Sequence, residues 1–214
     1  MSSQIKPIDD FFTVIHERSS IRKYNPSVSI SADELSSIIE AAGKAPSAWN
    51  LQHWHFVAFK GSAAQQRLLP IAYNQQQIIE ASAVIAVLGD AEANKNVDDV
   101  YDPLVETGLM RPEMKETLVS QINGAYKNKQ YARDAAISNA ALAAMQFMLA
   151  AKAKGWDTCP IGGFNAEQFM SEFSIPRRYI PIMLITIGKA AAPARQSTRL
   201  PVNKVTTWVE TEND

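Results

Sequence analysis

The chain has a single cysteine, Cys159, so it can form no internal disulfide and carries no Cys-x-x-Cys pair for zinc or thiol redox chemistry. It has no excess of charge: 21 Lys and Arg stand against 22 Asp and Glu, a formal net charge of −1. That balance argues against a nucleic-acid partner, which calls for a basic domain or stripe. The opening MSSQIKPIDD lacks a basic segment followed by an apolar one, so no secretory signal is expected. No uninterrupted apolar run approaches the roughly 18 residues that span a bilayer, so no membrane partner is expected either. The GxxxxGK[ST] phosphate loop, the GxGxxG dinucleotide fingerprint and the GxSxG nucleophile elbow are all absent. What is present is the composition of a globular protein, 214 residues with 46% hydrophobic and 20% charged. The expectation is one domain over 1–214, in the cytoplasm, with a large core.

Pro7, Asp9 and Asp10 read as a helix start before FFTVIHER, and Asn25-Pro26 closes ERSSIRKYNP as a loop. Ser31 with Glu34 forms a capping box ahead of a helix whose stripe is Leu35, Ile38, Ile39 and Ala42, ending near Gly43. HWHFVAFKG, 53–61, reads as a strand, 63–81 as helical, and SAVIAVLGD, 82–90, as a strand buried on both faces. Residues 91–131 are the most polar stretch and read as an excursion with some helix, lying over something rather than inside it. Residues 132–154 are rich in Ala and Met and predict a buried helix, central or at a dimer seam, stopped by Gly155. TCPIGGF, 158–164, reads as a loop, Asn165 to about Ser174 as a short helix, and YIPIMLITIG, 179–188, as a fully buried strand. The tail is irregular until VTTWVE, a candidate edge strand. Helices precede any strand, so the class is α+β.

Little in this pattern suggests metal or nucleophilic chemistry. His53 and His55 form an H-x-H pair that could face one side of a strand, but no third ligand has suitable spacing, which favours packing or hydrogen bonding beside Trp54. Cys159 has no adjacent base and reads as a small buried thiol. Three segments say more. Arg18, Ser19, Ser20 and Arg22 fall within five positions and can hold a phosphate or an anionic ring edge, or stand as solvated surface charge. KAPSAWNLQHW sets small residues and Asn50 beside two tryptophans, either a seat for a flat ligand or a loop with a core anchor. PIGG, 160–163, is either a plain turn or a backbone that a ring can approach.

In order along the chain, these motifs resemble the FMN-dependent nitroreductase family, over nearly its whole length. They look most like its small NAD(P)H-dependent nitroreductases and quinone reductases. RSSIR corresponds to the family's R-[RHS]-S-x-[RK] opening and PSAWNLQHW to its PS-x-x-N-x-QPW segment. YNQQQIIEASAVI is similar to its N-x-x-x-[IV]-x-x-A stretch, PIGGF to its PI-[EG]-GF loop, and STRLP to its [KR]-x-R-x-P end. The resemblance implies a central mixed sheet flanked by helices and an intertwined homodimer with one FMN in each of two interface sites. NADH or NADPH would be the co-substrate, and a quinone, nitroaromatic or similar flat molecule the acceptor.

Carried over by residue, Arg18 and Arg199 would bind the FMN phosphate, with Ser19 and Ser20 beside them. Arg22 would lie near the N1/O2 edge of the ring, where positive charge stabilises the reduced state. Asn74 would meet the pyrimidine, and Pro160, Ile161, Gly162 and Gly163 would bring backbone to the N5 side. Pro46, Ser47, Ala48 and Asn50 would come from the partner chain, and the 91–131 excursion would cover the substrate side. The resemblance implies neither a metal nor a general side-chain acid or base, because the flavin carries the reaction. Other flavin chemistry on the same fold (dehalogenation, azoline oxidation, flavin fragmentation) and a non-catalytic flavin-binding module stay open. Three positions depart from the pattern: Ser197 stands where the family often has Lys, Gly162 replaces Glu of the PIEG version, and His53 replaces Pro of QPW.

Overall fold

A computed structural model describes residues 10–209. Pro7, Asp9 and Glu210, on which parts of the first helix start and of VTTWVE rest, lie outside the described residues. Helix α1, Phe11–Glu17, begins where the Asp10 carboxylate accepts the Thr13 N–H at 2.7 Å. In α2, Ala32–Ala42, the Ser31 hydroxyl caps the Glu34 N–H at 3.1 Å. The reciprocal half of that box is replaced: Glu34 Oε1 accepts the indole N–H of Trp156 at 2.7 Å, tying α2 to the residue just before Asp157. Leu35, Ile38 and Ala42 form the buried stripe.

The remaining elements are β1 (Trp54–Lys60), α3 (Ser62–Ile71), α4 (Gln77–Glu80), β2 (Ala83–Asp90), α5 (Val97–Glu106), α6 (Pro112–Tyr126), α7 (Lys129–Ala153), β3 (Asp157–Ile161), α8 (Ala166–Glu172), β4 (Tyr179–Gly188) and α9 (Val202–Val205). The four strands lie in the order β1-β2-β4-β3. Each pairing is antiparallel, so the mixed character expected of the sheet reduces to one isolated parallel bridge, Ser20 to Thr158.

Strand β2 is buried along all eight residues, and its alternation feeds two cores. Ile85 and Val87 face α2 and α7 with Ile38, Ala140, Phe147 and Trp156, while Val84, Ala86 and Leu88 face α3 and α8 with Leu68, Ile71 and Phe169. Side chains of this size stabilise the fold by about 1.5–3 kcal/mol each when fully buried. Alanines let α7 ride on the sheet: a Cβ on Gly89 would fall 2.6 Å from the Ala136 carbonyl oxygen. By length and composition alone α7 could cross a membrane, yet half of its most apolar window is buried against the rest of the protein.

Four expectations are corrected. TCPIGGF is strand through Ile161, because Thr158, Cys159, Pro160 and Ile161 pair with β4. The stretch 63–81 is two helices parted at 72–76, where Tyr73 and Asn74 take φ of 54° and 56°. Strand β4 is fully buried only from Leu184 onward, and its first half is partly covered. Thr206–Val209 forms no strand, and Trp208 and Val209 are exposed.

Candidate functional site

Arg18 ends α1, its N–H donating to the Val14 carbonyl at 3.0 Å. The chain then leaves the helix along the free edge of β3, held by the Ser20–Thr158 bridge and an Ile21 N–H to Thr158 carbonyl bond of 3.0 Å. Tyr24 anchors the run, buried with its hydroxyl 2.9 Å from Thr186 Oγ1. After β4 the chain returns along the same segment: Asn25 N–H reaches the Lys189 carbonyl and Ala191 N–H the Lys23 carbonyl, at 2.8 and 2.9 Å. That return carries the tail to Arg18. Ile15, His16, Arg18 and Ser19 form one wall of a cavity of about 650 Å³, and residues 194–199 form the other. Arg18, Arg195 and Arg199 all line it, with the hydroxyls of Ser19, Ser197 and Thr198, and among the described residues no carboxylate does. Three guanidiniums and several hydroxyls without an acid form a donor set for a phosphate-like anion. Arg199 Nη1 donates to Ser197 Oγ and to the Thr198 carbonyl, both at 2.9 Å.

A second group lies at the end of β3. Gln75 Nε2 donates to the Gly163 carbonyl at 2.9 Å, and Asn165 N–H to that of Ile71, so the Asn74 turn and the PIGG loop are one unit. Gly162 and Gly163 are exposed, and a Cβ built on either meets nothing within 4 Å, so a planar ligand can approach their backbone. Cys159 is buried and its thiol is pushed up, chiefly by burial, against the opposing charge of Arg22 and a hydrogen bond from Ser20. It is a packed thiol, not an activated one.

The residues expected from a partner chain stand apart from both groups. Pro46, Ser47, Ala48 and Asn50 lie in the turn before β1, at the sheet edge opposite β3, and none lines the arginine cavity. Ala48 N–H donates to Asn139 Oδ1 of α7 at 2.8 Å, and Pro46 lines an apolar groove of about 490 Å³ along α7. The excursion is pinned over this turn. The Tyr101 hydroxyl reaches the Trp49 carbonyl at 2.8 Å, and Asn96 Nδ2 the Leu51 carbonyl at 2.9 Å. Trp49, Asn50 and Gln52 have φ of 51°, 54° and 53°. With Tyr73 and Asn74, they put five of the six described left-handed non-glycine residues in or beside stretches the sequence singles out. Such backbone costs on the order of 1–3 kcal/mol per residue and collects where function requires it.

His53 and His55 hold no metal-like arrangement. His53 is buried against Tyr126, and exposed His55 stacks on Tyr179 at 4.7 Å. Sequence reasoning missed Arg195, His16 and Gln75. Arg195 lies two residues before STRLP and Gln75 directly after Asn74, so adjacency to the motifs was the available signal.

A model of the Nitroreductase family matches residues 15–189, and the chain belongs to that family; it is an oxidoreductase. Among its relatives is the Bacillus subtilis protein YodC, provisionally named an NAD(P)H nitroreductase. It is 56% identical over 196 residues, which cover 92% of this chain and 97% of that protein. The enone reductase of CLA biosynthesis in Lactiplantibacillus plantarum is 32% identical, over 93% of this chain and 95% of its own length. A protein of Exiguobacterium sibiricum, provisionally named a nitroreductase and crystallised in complex with FMN, superposes with a TM-score of 0.90 at 38% identity, over 96% of this chain and 100% of that one.

Proposed function

We propose that this chain is an FMN-dependent oxidoreductase that takes hydride from NADH or NADPH and passes the electrons to a quinone, a nitroaromatic or a similar flat acceptor. The observation that carries this reading is the cavity uniting Arg18 and Ser19, near the start of the chain, with Arg199, near its end, with no carboxylate among the described residues that line it. Its donor set fits the phosphate of FMN, and the exposed Gly162–Gly163 backbone fits a ring edge. When bound, FMN supplies hydride acceptance and electron transfer.

The chain's own residues bind and orient. Arg18 and Arg199, with Ser19 and Ser20 beside them, anchor the phosphate, and Asn74 meets the pyrimidine. Pro160 and Ile161 position Gly162 and Gly163 at the reactive side of the ring. Arg22, exposed on the edge of β3, offers positive charge where the electron pair arrives. No side chain is assigned as general acid or base.

The site is completed by a second copy of the chain. Pro46, Ser47, Ala48 and Asn50 are remote from the arginine cavity of their own chain, and the α7 groove is lined almost wholly by apolar side chains, with Phe11, Leu142 and Met145 exposed. An apolar surface of this kind needs covering. A homodimer covers it and delivers the 46–50 turn and the excursion over it to the partner's ring. The same reading gives one domain and a cytoplasmic location.

The test is spectroscopic. Purified protein should carry about one FMN per chain and bind FAD poorly. NADH or NADPH should bleach it anaerobically, and a panel of quinones, nitroarenes and enones should restore the colour. A colourless protein that FMN cannot reconstitute would indicate a different ligand. Bleaching that no acceptor in the panel reverses would indicate other chemistry on the same fold; the kinship to an enone reductase puts enones in the panel.

A further inference from the structure

We infer that Arg195 is a phosphate-anchoring residue, supplying the cation that the family often places at position 197; this rests on the FMN reading above. Ser197 brings no charge, and its hydroxyl accepts from Arg199 Nη1 at 2.9 Å, so it orients Arg199 instead of replacing a lysine. Arg195 stands two residues earlier in the same run and lines the same cavity as Arg18 and Arg199. Its Cα lies at most about 14 Å along the chain from that of Arg199, a span that two arginine side chains can close onto one phosphate. Among the described residues no acidic side chain lines the cavity and Arg195 makes no ion pair, so none of them competes for its guanidinium.

The charge balance also favours a third cation. A phosphomonoester carries about −1.5 to −2 near neutral pH, and two arginines only match it. A third leaves the occupied cavity positive, and its planar fork suits paired phosphate oxygens. The exposed, irregular run 194–199 has little packing to lose, so substitutions there can report on binding without unfolding the chain.

The experiment titrates apoprotein with FMN and with riboflavin, which lacks the phosphate, at several salt concentrations, and records the melting temperature of each apoprotein. Wild type should prefer FMN strongly. Arg195→Gln should weaken FMN about tenfold or more, the scale of one charge-assisted hydrogen bond, leave riboflavin affinity and melting unchanged, and flatten the salt dependence. Ser197→Lys added to Arg195→Gln should restore FMN affinity, because it returns a cation to the same wall. If Arg195→Gln binds FMN as wild type does while Arg18→Ala is weakened, the inference is overturned and the FMN reading stands. If wild type fails to distinguish FMN from riboflavin, the phosphate reading of the cavity falls and the inference falls with it.

Discussion

The Tyr126 hydroxyl lies 2.7 Å from His53 Nε2, with the two rings stacked at 6.4 Å, and this buried contact fastens α6 to the residue just before β1. It is the third of the hydrogen bonds that hold the polar excursion over the 49–53 turn. His53 Nδ1 is buried without a partner among the described residues, so the imidazole has no second hydrogen bond there to fall back on.

Removing the phenol should therefore expose the pair's worth. Tyr126→Phe keeps the ring but leaves His53 Nε2 unsatisfied, and a loss of about 1–3 kcal/mol in urea unfolding at pH 7 is expected. Amide exchange should rise first in α6. An unchanged midpoint would mean that the contact contributes nothing net.

The same histidine gives a pH dependence. Burial pushes its imidazole down from an ordinary 6.5 to about 4. Between those values the unfolded chain binds a proton that the folded one refuses, so the contribution is complete above about pH 6.5 and is lost as pH falls toward 4. His53→Gln should show a shallower decline of stability over that window than wild type. Identical slopes in the two proteins would remove His53 as the cause.

Much of this scaffold was legible in the sequence. The Ser31 cap, the apolar run that fills most of β2 and the alanine-rich α7 are local patterns that packing reinforces. What the sequence hid depends on pairing at a distance. Cys159 and Pro160 look like loop because a proline and a glycine pair follow one another, yet their strand exists through Thr186 and Ile185 of β4. The resemblance already sets Arg18 and Arg199 on one phosphate, and the return of the chain past Tyr24 is the pairing at a distance that brings both to one cavity. Arg195 matches no motif and lies only beside one, and that return is what brings it to the same cavity.

Two glycines should respond oppositely to alanine. Gly89→Ala drives a methyl into the Ala136 carbonyl of α7 and should cost about 1–3 kcal/mol or more, read by thermal melting. Gly162→Ala meets open space and should leave the fold within about 0.5 kcal/mol of wild type. If Gly162 fronts the ring as proposed, that variant should still bind FMN less tightly. Full stability with unchanged FMN affinity would take Gly162 out of the site.

The dimer contact proposed for the exposed face of α7 can be tested by charge. Leu142→Asp places a carboxylate among the exposed apolar side chains lining the groove. It should shift sedimentation at micromolar concentration from dimer toward monomer and release FMN along with the partner's 46–50 turn. A wild-type chain that sediments as a folded, FMN-loaded monomer would falsify the dimeric site.

The last expectation concerns turnover and rests on what the chain lacks. It has no dinucleotide fingerprint to hold the nicotinamide coenzyme apart while an acceptor binds, so on the proposed reading both flat reactants are expected to use one place in turn. Parallel double-reciprocal plots are expected, with oxidised nucleotide competing against the acceptor. Affinity for acceptors should be modest and their range broad, because stacking tolerates many planar shapes. Arg22 is the residue that should separate chemistry from binding. It is exposed beside β3 with no ion pair among the described residues, so its charge would be available to the ring proposed to lie over Gly162 and Gly163. Arg22→Ala should lower the flavin potential and slow hydride acceptance about thirtyfold, the rate equivalent of about 2 kcal/mol for one charge-assisted contact, while weakening FMN less than Arg18→Ala does. Arg18→Ala should instead weaken FMN by about 1.5–3 kcal/mol, since it removes an anchor and leaves the reacting end alone. Intersecting plots, together with a ternary complex trapped by a dead-end nucleotide, would sink the shared site. An Arg22→Ala enzyme with an unaltered potential and rate would place that guanidinium away from the ring even where the plots remain parallel.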